Sequence, residues 1–137
     1  MRVADPMLAD RLRAAAAALC WRQNLTYTDQ AFLARYRYCE LVGPTGHARD
    51  HEHAMGLLYL APHTTYPAHA HPASESYHVL TDGSQWSAAG SPWQDRRAGE
   101  RIVHGSNVIH AMRTTRSALL AIYVWGGDLT RPATLLS

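Results

Sequence analysis

Lysine is missing from this sequence altogether: all thirteen basic residues are arginine. Schiff-base chemistry on a lysine is therefore excluded, and so is a phosphate loop that depends on one. Charge of one sign is also scarce. A formal net charge of +2 with no basic stripe argues against a nucleic-acid partner. No apolar run reaches the roughly 20 residues that a membrane-spanning helix needs. The alanine run Ala14–Ala18 is flanked by Arg11, Arg13 and Arg22 and lacks the leucine-rich stretch of a signal peptide, so it reads as helix. Cys20 and Cys39 are the only cysteines and have no C-x-x-C spacing. Free thiols in a reducing, cytoplasmic compartment are expected. What the chain has in excess is histidine, nine in 137 residues, which is length for one domain.

The order of the chain predicts a mainly β fold behind N-terminal α-helices. Asp5-Pro6 is a cap followed by a first-turn proline. Leu8, Leu12, Ala16 and Leu19 then recur at helical spacing, predicting a helix that ends near Trp21–Asn24. A second helix is predicted to open at Thr28 or Asp29 and to carry Phe32, Tyr36 and Cys39 on one side. Gly43-Pro44-Thr45-Gly46 would stop it. The polar stretch to His53, with His47 and His51, reads as loop. From Ala54 the character changes to short strands with regular turns, the pattern of a sandwich or barrel. The Thr81-Asp82-Gly83-Ser84 stretch predicts a hairpin. The expected organisation is a helical segment over 1–50, packed on a β-barrel over 51–137. Met55–Leu60 and Ala118–Trp125 are apolar on both faces, which leaves room for a homodimer partner.

The chain is organised around Tyr66–Tyr77, YPAHAHPASESY. His69, His71, Glu75 and Tyr77 all have odd numbers, so an extended strand would point them to one side. Imidazoles and a carboxylate on one face make a candidate metal site. This donor set suits iron, manganese, zinc, cobalt or nickel and is too nitrogen-rich for calcium or magnesium. Tyr77 stands two positions past Glu75. A free phenol has a pKa near ~10, and a nearby divalent cation would lower it toward the range of a general base. By the same parity Tyr123 and Trp125 share a face and would line such a pocket, while His78 falls on the opposite face. His63 and His104 read as turn residues.

The spacing His-x-His-x3-Glu, followed by Gly83, resembles the first metal motif of the cupin superfamily, a small β-barrel fold. Gly99 through Gly105 leading to His110 resembles the second motif, which implies His110 as a fourth ligand beside His69, His71 and Glu75. More narrowly, the sequence resembles the cupin-type dimethylsulfoniopropionate lyases. The resemblance rests on Tyr66-Pro67, His69, His71-Pro72-Ala73, Glu75, Tyr77, Gly83 and Trp86. It continues in His110-Ala111-Met112-Arg113-Thr114, Leu119–Trp125 with Gly127-Asp128, and Cys39–Pro44 upstream. It implies one divalent transition metal per chain and a β-elimination that cleaves a small-molecule substrate to dimethyl sulfide and acrylate. It also implies Tyr77 as the base and Tyr66, Tyr123 and Trp125 as substrate-binding walls, whose aromatic faces would hold a sulfonium. Another metal-dependent cupin enzyme, a dioxygenase or isomerase, or a non-catalytic binding cupin would share the ligand pattern without requiring a tyrosine at position 77.

Overall fold

The computed structural model describes residues 3–136. Helix α1 covers Pro6–Ala15, and the Asp5 carboxylate caps it by accepting from the Met7 and Leu8 amides. A 3₁₀ turn at Ala16–Ala18 ends the helical stretch, short of the predicted Trp21–Asn24. The reason is pairing: Arg22 and Tyr38 exchange backbone hydrogen bonds at 2.7 and 3.0 Å, which draws the following residues into extended backbone.

Asp29 caps α2 as predicted, but α2 is the single turn Gln30–Leu33. The rest of the predicted second helix is strand β1, Tyr36–Gly43. Phe32, Tyr36 and Cys39 do recur at helical spacing. Pairing with the strand His53–Leu60 overrides so short a helical signal. The division expected at residue 50 therefore falls inside one sheet, which begins at Tyr36 instead of Ala54.

The remaining strands are β2 (Ala48–Arg49), β3 (His53–Leu60), β4 (Thr65–Ala70), β5 (Ser74–Val79) and β6 (Ser84–Ala88). They continue as β7 (Gln94–Arg96), β8 (Arg101–His104), β9 (His110–Thr114), β10 (Leu119–Gly126) and β11 (Thr134–Leu135). They form two sheets, in the orders β2-β1-β3-β10-β5-β8 and β11-β4-β9-β6-β7. The expected small barrel thus takes the form of two facing sheets. Leu58, Leu60, Val79, Met112, Leu119 and Ala121 are buried in the main core, where Tyr27, Phe32, Tyr36 and Tyr66 join them. A second cluster, Cys39, Leu57 and Leu120, packs with Leu12 and Leu19 of the N-terminal segment.

Asp82-Gly83 does not make the predicted hairpin. β5 pairs with β10 and β8, whereas β6 pairs with β9 and β7, so the chain changes sheets at this turn. A tight turn read locally cannot distinguish a return along the same sheet from a step across the core.

Candidate functional site

A second change of sheet creates the site. Tyr66–Tyr77 is not one extended strand: β4 lies in one sheet, β5 in the other, and His71-Pro72-Ala73 carries the chain between them. The four residues still converge: His69 comes from β4, whose register shifts between Tyr66 and His69, His71 from the connection, and Glu75 and Tyr77 from one face of β5. His69 is 1 % exposed, and His71, Glu75 and Tyr77 are each 3 % exposed. His110 on β9 stands directly opposite His69 in the ladder. Glu75 sits between Trp125 on β10 and His104 on β8.

His71, Glu75 and His110 offer ligand atoms that all lie within 4.8 Å of one another. Their hydrogen bonds suit a cation. His71 Nδ1 faces the Ala73 carbonyl and His110 Nδ1 the Val108 carbonyl, both at 2.9 Å. A carbonyl only accepts, so each Nδ1 carries a proton and donates it. Each Nε2 is thereby turned toward Glu75. His71 Nε2 lies 2.7 Å from Glu75 Oε2 and His110 Nε2 lies 3.3 Å from the same oxygen, the second without hydrogen-bond alignment. Two imidazoles crowding one carboxylate oxygen, with one nitrogen left unpartnered in the interior, is a costly arrangement for protons alone. A divalent cation among the three atoms would satisfy all of them, and carbonyl-oriented imidazoles are the usual support of such sites.

The electrostatics agree. Burial alone would raise the Glu75 carboxyl, but the adjoining imidazoles of His110 and His71 outweigh it and hold Glu75 down to about 2. Trp125 Nε1 donates to the other oxygen, Glu75 Oε1, at 2.6 Å, and the indole stacks on His71 at 4.1 Å. Trp125 is therefore a support of the carboxylate as well as a pocket wall.

His69 reaches the site but stands outside the three-residue set. It packs edge-on to His110 at 4.1 Å, lies 6.5 Å from His71 between ring centres, and turns its Nδ1 to the Pro67 carbonyl at 2.8 Å. Burial, and then the neighbouring His110, hold it neutral with its pKa lowered to about 3. Tyr66 lies flat on His69 at 3.9 Å, and its hydroxyl meets that of Tyr27 at 2.5 Å. Tyr77 packs on Trp86 at 4.8 Å and lies 6.4 Å from the His110 ring. Burial and the Glu75 charge push its phenol well above the ordinary value.

Tyr66, His69, His71, Glu75, Tyr77 and Trp125 line a cavity of about 590 Å³, with Tyr36, Tyr38, Tyr123 and Glu40 also on the wall of the six-stranded sheet. Arg22–Thr26 and Pro132-Ala133 also line it, and Asn24 Nδ2 donates to the Ala133 carbonyl at 3.1 Å. His78 is exposed on the opposite face, as parity required, and His63 is exposed in a turn. His104 is different: it is 3 % exposed, stacks on His110 at 4.1 Å, and leaves its Nε2 unpartnered. It reads as a turn residue in the sequence, where Arg-Ile-Val-His shows no alternation; in the structure Ile102 and His104 are the buried positions of β8. Glu40 was missed because its segment read as helix.

Comparison with known proteins agrees with this architecture. A cupin-like protein from Thermotoga maritima shares the fold, with a TM-score of 0.64, 18% identity, and coverage of 74% of this chain and 75% of that one. The crystal structure of the DMSP lyase DddQ from Ruegeria pomeroyi superposes with a TM-score of 0.89 at 28% identity, covering 98% of this chain and 70% of that one. In sequence, the dimethylsulfoniopropionate lyase DddQ of Ruegeria pomeroyi is 32% identical over 127 residues. The DddL protein of Cereibacter sphaeroides is 30% identical over 130 residues. Each alignment takes in 89% of this chain, which spans 62% of the DddQ length and 53% of the DddL length. Residues 3–121 match the family model described as dimethylsulfoniopropionate lyase, and the chain belongs to that family.

Proposed function

We propose that this chain cleaves dimethylsulfoniopropionate to dimethyl sulfide and acrylate by β-elimination, with Tyr77 as the base. The observation that carries the reading is the juxtaposition of His71, Glu75 and His110 with a buried tyrosine in an aromatic-walled cavity. His71, Glu75 and His110 would hold one divalent transition metal, and His69 is the remaining imidazole beside them. Two or three imidazoles with one carboxylate suit iron, manganese, zinc, cobalt or nickel.

Such a cation would supply positive charge next to the substrate carboxylate and the phenol, favouring both the enolate-like charge and the phenolate. The chain's own residues do the rest. Tyr77 Oη takes the proton from the carbon alpha to the carboxylate. The electron pair of that bond becomes the new C=C bond, and the C–S bond breaks with its pair leaving on sulfur as neutral dimethyl sulfide. Tyr66, Tyr123 and Trp125 hold the substrate, and the buried position of Tyr77 keeps water from the proton transfer. Without a cation the burial of Tyr77 and the charge of Glu75 keep the phenol protonated, so activity is expected to require metal loading.

The experiment is headspace detection of dimethyl sulfide from metal-loaded protein and dimethylsulfoniopropionate, with acrylate measured in parallel. Stoichiometric release of the two products is expected. Metal-loaded protein that releases neither refutes the proposal. The same reading places the protein in the cytoplasm with a small-molecule partner, and extends to a homodimer that light scattering would detect.

A further inference from the structure

The cavity contains a second carboxylate that the proposed elimination does not use. Glu40 lies on β1 directly across from Gly56 of β3, and the same rung continues through Tyr123 of β10 to Tyr77 of β5. Gly56 leaves this rung open: a Cβ there would stand 2.7 Å from the Tyr123 hydroxyl, so that phenol lies over the glycine, toward the strand that carries Glu40. Glu40 and Tyr38, two residues apart on β1, both line the cavity.

The Glu40 carboxylate is held in place. The Thr45 amide donates to Oε1 at 2.9 Å and the Thr45 hydroxyl to Oε2 at 3.0 Å. Gly43, at φ +146, makes the room, since a Cβ there would meet Glu40 Oε1 at 2.2 Å. The nearby cation does not neutralise it by direct pairing, because Arg22 gives its hydrogen bonds to Thr45 Oγ1 at 2.8 Å and the Thr45 carbonyl at 3.1 Å. Glu75, the other cavity carboxylate, is committed at both oxygens to His71, His110 and Trp125. Glu40 is thus a second carboxylate on the cavity wall, hydrogen-bonded by Thr45 and without a salt-bridge partner among the described residues. Its field reaches the wall: after burial, it is the main influence raising the Tyr123 phenol.

We propose that Glu40, with Tyr38 and Tyr123, forms a subsite for the cationic end of a zwitterionic substrate, so that the cavity selects onium carboxylates over uncharged isosteres. This rests on the reading of the cavity as the substrate site. The chemistry is that of onium recognition, aromatic faces around a fixed anion. A methylated sulfonium or ammonium donates no strong hydrogen bond, so shape and charge are the features left to read.

The test uses two ligands that do not eliminate. One is 3-(trimethylammonio)propionate, and the other is its carbon isostere 4,4-dimethylpentanoate, each titrated calorimetrically into metal-loaded protein. The wild-type chain should prefer the ammonium ligand by about tenfold or more. Glu40→Gln should lose most of that preference while binding the isostere within about twofold of wild type, and Glu40→Asp should retain part of it. A wild-type chain that binds the two ligands equally overturns the proposal without any variant, and so does a Glu40→Gln chain that keeps the preference. Dimethyl sulfide release separates this from the lyase reading. A Glu40-dependent preference without release keeps the subsite and removes the lyase, whereas release with an unchanged preference in Glu40→Gln does the reverse.

Discussion

Replacing Trp125 by Phe should weaken metal binding without touching His71, Glu75 or His110. The indole Nε1–H donates to Glu75 Oε1 at 2.6 Å, while the other oxygen of this 3 %-exposed carboxylate faces the two imidazoles. Phe keeps an aromatic ring beside His71 but offers no donor, so one side of a buried charge is left unsupported. A hydrogen bond to a charged group contributes about 1.5–3 kcal/mol, which is about 10–150-fold in an equilibrium constant. Loss of a supporting partner at a metal site spans about 10–100-fold by direct experience of such sites, so the two estimates agree. Zinc titration against a chromogenic chelator should therefore show Kd raised by about 10–100-fold. The metal-free Tm should fall by about 4–10 °C for a chain of this size. A Trp125→Phe chain with wild-type zinc affinity would refute the reasoning, because Glu75 would then not depend on the indole for its position or charge.

Tyr77→Phe should retain metal and fold but lose at least ~100-fold in dimethyl sulfide release, the low end of general-base contributions; near wild-type turnover would move the base role to another residue. His110→Ala should bind far less metal by elemental analysis after dialysis against zinc, since it removes one of the three clustered ligand atoms; unchanged stoichiometry would contradict the triad. The metal-free protein should lose stability on acidification. His69 and His104 are lowered to about 3 and about 4, so below the ordinary imidazole value near 6.5 the unfolded chain binds protons that the folded chain does not. Glu75, lowered to about 2, adds to the loss below 4.5. Urea midpoints should therefore be flat above pH 6.5 and fall toward pH 4, and equal midpoints at pH 5 and 7.5 would count against this. Gly56→Ala should destabilise by about 3 kcal/mol, the upper part of the overpacking range, because its Cβ would lie 1.9 Å from the Cys39 carbonyl and 2.7 Å from the Tyr123 hydroxyl; an unshifted Tm would show that the strands separate freely.

The sequence alone determined which chemistry the chain could carry. The donors of a candidate metal site are few residue types, and their spacing in Tyr66–Tyr77 and at His110 is visible without coordinates. The mainly β character, the Asp5 and Asp29 caps and the long strands β3 and β10 were legible for the same reason: each depends on residues close together in the chain. Tertiary structure decided the rest. Tyr36–Gly43 became a strand because β3 supplied its hydrogen-bond partners, and those partners are some twenty residues away in sequence. Asp82-Gly83 became a crossing and not a hairpin because β5 and β6 find their partners in different sheets. Parity along Tyr66–Tyr77 gave the convergence from the wrong premise, since only Glu75 and Tyr77 share a strand face, while His69 reaches the interior from the other sheet and His71 from the connection between them. His104, Glu40 and the double role of Trp125 were decided only by that packing. A side chain's burial and partners depend on what lies across the ladder and across the core, and no local pattern of residues encodes those distances.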